Sequence, residues 1–233
     1  MIRREPTANA TATFKPRLDI LPSAQHRLWL ELSDTPQDFT LHGGTAIALR
    51  LGHRASADFD FFASTPFVPN ALLRQVPYLK GATMRQSAPN TLTVTIERGG
   101  PVQVSFFDGL DRGQVAAAET ASGLGIKVAS LIDLAGFKVA VVTQRAELKD
   151  YIDVHALLMK AHIPLAQMLA AATIIYGADF SPLLSLKALA YHEDDALAGL
   201  PTDIRQDLIT AVGAVDPHHL PALTAIRSRP ERS

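Results

Sequence analysis

At 233 residues, 47 % hydrophobic and 19 % charged, the chain has a globular composition, enough for one large domain or a domain with a helical extension. Lys and Arg total 22 against 23 Asp and Glu, and the net charge of −1 excludes a uniformly basic nucleic-acid binder, though not a local basic patch. With no cysteine, disulfide frameworks, thiolate zinc sites and thiol catalysis are excluded.

The first residues are polar and lack the apolar core of a signal peptide, and no 18-residue uncharged apolar run follows. The expectation is a soluble, cytoplasmic chain with no membrane partner. Residues 1–18, with Pro6 and Pro16, read as a flexible arm. Ser23 is a candidate N-cap for a helix carrying Leu28, Trp29 and Leu32 at helical spacing. Phe39, Thr40 and Leu41 form a short strand ending in Gly43-Gly44, and a helix resumes over 45–51 until Gly52 stops it. Residues 58–62, DFDFF, alternate with period 2 as in a half-buried strand. After Pro66 and Pro69 comes a short helix, ALLRQV. The alternating segments 92–96 and 102–106 then form a hairpin about the turn 98–101. Beyond Gly109 the strand signal ends, and helices are expected over 130–145, 148–160, 164–176 and 182–191. The outline is α+β: a core of small mixed sheet and helices over 19–125, a helical region over 126–226 completing the site, and a basic tail over 227–233 with Arg227, Arg229 and Arg232.

Some candidate sites fall away at once. Neither GxxxxGK[ST] nor HExxH occurs. Gly123-Leu124-Gly125 is not GxGxxG and reads as a loop. His218-His219 are adjacent rather than at ligand spacing and read as a solvated loop, and Glu193-Asp194-Asp195 reads as a polar turn.

The informative stretch is LHGGTAIALRLGHRASADFDFF. A strand runs into two glycines and straight into a helix, whose N-terminal backbone N–H groups can hold a triphosphate. Residues 45 to 57 then separate Gly44 from Asp58. Asp58 and Asp60 lie two apart on a strand, so both carboxylates share a face, with Phe59 and Phe61 opposite. Paired acceptor-only groups repel unless a cation sits between them, and hard oxygen ligands suit Mg²⁺ or Mn²⁺. Further on, Leu131, Leu134, Lys138, Val141 and Arg145 fall on one stripe of a buried helix. An ammonium there needs an anionic partner: a bound phosphate, or Asp150 and Asp153 on the next helix.

These residues resemble the AbiEii/AbiGii toxin family of nucleotidyltransferases, within the DNA polymerase β-like superfamily. The match runs over Gly43 to Leu49 and Leu51 to Phe62, and again over 130–158, where Lys138, Arg145, Lys149, Asp150 and Asp153 stand in the family's second block. The resemblance implies a nucleotidyltransferase fold and Mg²⁺-dependent transfer of a nucleotidyl group from an NTP to a tRNA or protein acceptor. It implies the toxin half of a toxin–antitoxin or phage-defence pair, with a cognate antitoxin. Asp58 and Asp60 would hold the metal. Gly43, Gly44, Thr45, Arg54, Ser56, Lys138 and Arg145 would receive the nucleotide's phosphates. Lys138 and Asp150 would join the catalytic set, and His53 lies close enough in sequence to touch phosphate.

One departure stands out. The superfamily usually places a third carboxylate on a neighbouring strand, and the aligned position here is Ser105, which shares a face with Gln103 and Phe107. Asp108 is in the opposite phase and Glu97 sits at the hairpin turn. Either one of them compensates, or the chain is a nucleotide-binding or partner-binding module with little turnover.

Overall fold

The computed structural model describes residues 12–108 and 112–227. The N-terminal part of the expected arm, with Pro6, and the tail residues Arg229 and Arg232 lie outside these. Along the chain run β1 (Thr13–Phe14), α1 (Ser23–Trp29), β2 (Phe39–His42), α2 (Gly43–Leu51), β3 (Phe59–Ala63) and α3 (Pro69–Gln75). Then follow β4 (Thr83–Ala88), β5 (Thr91–Glu97), β6 (Pro101–Asp108), β7 (Glu119–Ala121) and β8 (Ile126–Val128). Five helices end the chain: α4 (Leu131–Val141), α5 (Leu148–Met159), α6 (Leu165–Tyr176), α7 (Pro182–Ala190) and α8 (Thr202–Gly213). Among the described residues no helix is long and apolar enough to cross a membrane.

The described strands form one mixed sheet in the order β1-β7-β8-β2-β3-β6-β5-β4. β3 runs parallel to β6 and antiparallel to β2, and β5–β6 is the expected hairpin, in register from Thr91↔Phe107 to Glu97↔Pro101. Period-2 alternation gives the sheet two unlike faces. On one, Phe59, Phe61 and Phe106 are fully buried; Phe59 lies beside Trp29 of α1 with ring centroids 6.3 Å apart, and Phe61 stacks on Phe106 at 5.5 Å. On the other, Phe62 meets Phe137 of α4 at 5.7 Å.

α4 is apolar around most of its circumference because it is enclosed: it packs on α2, α5 and α6, and Leu134, Ala135 and Val139 are fully buried. Ser130 caps it, accepting from the Asp133 N–H at 3.1 Å.

Five expectations change. α4 stops at Val141 rather than running to 145, so Arg145, expected on the Lys138 stripe of that helix, lies in the loop before α5. α1 begins at Ser23, with Pro22 in the cap position and no side-chain cap bond, which suits a residue with fixed φ and no N–H. Strands persist beyond Gly109: β7 and β8 form a hairpin whose turn is Gly123-Leu124-Gly125, with both glycines at positive φ. Three-residue strands are too short to show alternation. β4 was also missed, since every one of its residues is exposed and an edge strand of that kind carries no apolar face. Finally, part of the expected arm is docked. Thr13–Phe14 pairs with β7, and the buried guanidinium of Arg50 lies 4.1 Å over the Phe14 ring and 3.0 Å from Glu119. α8 carries no signal that singled it out, with only Leu208 buried along it.

Candidate functional site

A cleft of about 750 Å³ opens between the polar face of the sheet, the start of α2, and the facing sides of α4 and α5. Its volume falls in the range of small-ligand sites. Asp58, Asp60, Gly43, Gly44, Thr45 and Ser56 line it, and so do Arg54, Lys138 and Arg145. Residues separated by up to about a hundred positions in sequence thus converge as expected. Asp150 and His53 do not line the cleft; both lie behind it.

The carboxylates are placed by β3. Asp60 is in register with His42 of β2 on one side and Ser105 of β6 on the other, and Asp58 immediately precedes the strand. Burial first, and then the charge of Asp58, raise the Asp60 pKa, while Lys138 and a hydrogen bond from Ser105 oppose the rise. A divalent cation between the two carboxylates would relieve both causes, so this pair fits a hard cation.

The two glycines have separate reasons. Gly43 sits at φ +74°, and a Cβ there would meet Asp60 Oδ2 at 2.7 Å. At Gly44 a Cβ would collide with the Arg54 guanidinium and stand 3.1 Å from Asp153 Oδ2. Thr45 and Ser56 brace the start of β3 at Asp58. Thr45 Oγ1 donates to the Asp58 carbonyl at 2.5 Å; its single proton is thereby committed, so the 2.7 Å contact with Ser56 Oγ is a bond that Ser56 donates. Neither hydroxyl proton is free for a ligand, so a phosphate at this corner would be left to backbone N–H groups and cations.

Behind the cleft lies a polar cluster centred on two fully buried carboxylates, Asp150 and Asp153. Asp153 accepts from His53 Nε2 at 2.6 Å and from Arg54 Nε and Nη2 at 2.7 and 2.8 Å, and Lys138 Nζ is 2.9 Å away. Burial by itself would raise its pKa, but the His53 and Arg54 donors and the Lys138 charge outweigh that and hold it well below the usual range. Asp150 accepts from Lys138 Nζ at 2.8 Å and Arg145 Nε at 2.9 Å. Of the two partners the sequence left open for Lys138, the aspartates are present in this structure. Asp150 acts on the site through Lys138 and Arg145, and His53 through Asp153. At the rim, Arg145 and Lys149 are about half exposed and share the exposed Glu147, at 3.1 and 3.0 Å.

Ser105 lies where the sequence comparison put it, on the Asp60 face and 2 % exposed, with Thr93 Oγ1 at 3.4 Å. Glu97 is four residues along the hairpin, about 13 Å from the Ser105 level. Asp108 is in the opposite phase, 3.4 Å from Asn90 Nδ2. Neither lines the cleft, and among the described residues no cluster of three or more metal-ligating side chains forms.

Sequence reasoning missed the lining residues Gln86, Thr93 and Phe137, and it named Gln103 and Lys149 without giving either a place in the site. It also missed His42, whose ring lies 4.8 Å from both Phe62 and Phe137 and whose Nδ1 is buried without a partner. Burial, and then the charges of Arg112 and Arg227, push the His42 pKa down to about 3. The only available signal was its place directly before Gly43.

Comparison with known proteins agrees with this geometry. The solved structure of MenT4, a nucleotidyltransferase toxin from Mycobacterium tuberculosis H37Rv, superposes with a TM-score of 0.54 at 13 % identity, covering 84 % of this chain and 87 % of that one. It shares the fold. An uncharacterized protein of Aquifex aeolicus (strain VF5), aq_aa25, is 32 % identical over 160 residues, 67 % of this chain and 75 % of its own. The family model described as "Nucleotidyl transferase AbiEii toxin, Type IV TA system" matches residues 27–226, across both sequence blocks and every charged residue of the cleft. The chain belongs to that family of nucleotidyltransferase toxins.

Proposed function

We propose that the chain transfers a nucleotidyl group from an NTP to an acceptor hydroxyl on RNA or protein, using a divalent cation held by Asp58 and Asp60. The observation that carries this reading is the convergence, in one cleft, of a Gly-Gly helix start, the carboxylates of Asp58 and Asp60, and four cationic side chains, Arg54, Lys138, Arg145 and Lys149. When bound, Mg²⁺ or Mn²⁺ supplies charge neutralisation between carboxylates and phosphates.

The protein's own groups do the rest. The α2 N-terminus offers backbone N–H groups to phosphate oxygens. Arg145 and Lys149 exchange Glu147 for phosphate, and Lys138, held by Asp150 and Asp153, adds positive potential beside Asp60. The acceptor oxygen bonds to the α-phosphorus, the bond from that phosphorus to the bridging oxygen breaks, and pyrophosphate leaves. The hydroxyl proton passes to solvent, since Ser105 offers no carboxylate to take it. A cognate antitoxin is the partner implied by the family.

A second reading, nucleotide binding with little turnover, is favoured by one observation: the serine in register with Asp60 where a third acid would complete the site. Incubation with each α-³²P-labelled NTP, Mg²⁺ or Mn²⁺, and either total tRNA or lysate separates the two. Label transfer that is lost in Asp58→Asn and in Asp60→Asn, with the fold retained, supports the enzyme. Tight NTP binding without transfer supports the second reading, and unaltered Mn²⁺ and nucleotide affinity in both variants would refute the metal assignment.

A further inference from the structure

The cleft has two unlike halves. Its cations come from the loop after α2 (Arg54), from α4 (Lys138), from the loop between α4 and α5 (Arg145) and from α5 (Lys149), whereas the half formed by β4–β6 is lined by Gln86, Thr93, Gln103, Ser105 and Phe107, none of them charged. The sheet register explains this. His42, Asp60, Ser105, Thr93 and Gln86 are successive cross-strand partners, so their side chains form one row on one face. The row leads from the metal strand to the sheet edge, and Gln86 stands three strand spacings, about 14 Å, from Asp60. A triphosphate gathers on the cationic half. The neutral half, open to solvent at Gln86 and Gln103, is left for the group that receives the nucleotide.

We propose, building on the reading above, that this amide- and hydroxyl-bearing face of β4–β6 seats the unpaired terminal nucleotide of an RNA acceptor. Each carboxamide of Gln86 and Gln103 carries both donor and acceptor, the pairing a base edge requires. The partly exposed Phe107 ring, 5.4 Å from Phe62 and tilted 40° to it, offers a plane for stacking. Arg85 stands at the outer edge with its Nε on Thr95 Oγ1 at 2.8 Å, and its remaining N–H groups suit a backbone phosphate one step upstream. Open sheet faces with stacking rings, amides and a marginal arginine are suited to single-stranded RNA. A polypeptide acceptor would instead add to the edge of β4 through its main chain. That edge carries Arg85 and a bulge between Met84 and Gln86, both of which work against strand addition.

The test uses Gln86→Ala, Gln103→Ala and Phe107→Leu in the full chain; the two glutamines are exposed, so their replacement leaves the core intact. Three quantities are read: KM for total tRNA in label transfer, anisotropy of a 5′-fluorescent single-stranded RNA without NTP, and NTP affinity by calorimetry with Mn²⁺. The proposal expects RNA KM and RNA Kd to rise about tenfold in each variant. It expects NTP affinity to stay unchanged, and Phe107→Tyr to restore RNA binding. Weakened NTP binding in the glutamine variants would overturn it by giving this face to the nucleotide. Unchanged RNA KM and Kd, or label appearing on polypeptide when RNA and protein acceptors compete, would overturn it as well. Absence of NTP binding by the unaltered protein would instead refute the enzymatic reading itself, independently of the RNA measurements.

Discussion

Replacing Lys138 with methionine tests how far the two aspartates behind the cleft depend on one ammonium. Its Nζ lies 2.8 Å from Asp150 and 2.9 Å from Asp153, and the side chain is 8 % exposed. Methionine fills similar space and suits a helix interior, so the variant removes charge with little loss of packing. Breaking a buried ion pair from one side costs about 3–5 kcal/mol when the remaining charge is left alone. Here neither aspartate is left alone. Asp150 keeps Arg145 Nε at 2.9 Å, and Asp153 keeps His53 and Arg54 donors at 2.6, 2.7 and 2.8 Å. The loss should therefore fall at the low end, about 3 kcal/mol, or roughly 6–12 °C in Tm for a chain of this size. Calorimetric unfolding of the wild type, Lys138→Met, and Lys138→Met combined with Asp150→Asn measures it. The double variant, which neutralises one stranded carboxylate, should recover part of the loss. A Tm unchanged in Lys138→Met while label transfer disappears would refute the reasoning, because the ammonium's energetic partner would then be substrate phosphate.

Two further outcomes follow from the same geometry. His42 titrates at about 3 in the fold against 6.5 ordinarily, so between those values the unfolded chain binds the extra proton. The contribution is complete above pH 6.5 and is lost as pH falls towards 3, with a slope approaching about 1.4 kcal/mol per pH unit; urea titrations of wild type and His42→Phe with identical pH slopes would contradict this. Ser105→Asp places a third carboxylate beside Asp60, so it should lower the Tm of the metal-free protein and tighten Mn²⁺ binding about tenfold, close to 1.4 kcal/mol. Calorimetry showing equal or weaker Mn²⁺ affinity would mean that this position does not reach the cation.

What could be read from the sequence was what local periodicity encodes. The alternation in DFDFF put Asp60 and Phe61 on opposite faces, and the paired alternating segments after Asn90 gave the hairpin whose register carries Ser105 to Asp60. What escaped was structure defined by its neighbours rather than by its own pattern. β4 is exposed on both faces, so no apolar residues mark it, yet it supplies Gln86 to the cleft. The hairpin of β7 and β8 is three residues a side and is held by pairing to β1 and β2. The partners of Asp153 lie 99 and 100 positions away on the loop before β3, and the helical stripe on α4 could say that Lys138 needs an anion but not which one.

Gly44 shows why a motif can be recognised before its cause is understood. Read along the chain, its missing Cβ admits a phosphate to the start of α2. In the fold, the same gap is already used from the other side, because a Cβ would strike the Arg54 guanidinium, which forks onto Asp153 with Nε and Nη2 at 2.7 and 2.8 Å. The pairing of the two glycines with His53-Arg54 is therefore a packing constraint as well as a ligand-binding one. α2 can approach α5 only where the residue at its start has no side chain and the loop after it supplies a guanidinium to neutralise Asp153. That clamp fixes the loop leading into Asp58, and Thr45 of the same helix donates to the Asp58 carbonyl while accepting from Ser56 on that loop. The carboxylate pair is thus held by hydrogen bonds that exist without any ligand, which is the pre-organisation that electrostatic catalysis of phosphate transfer depends on.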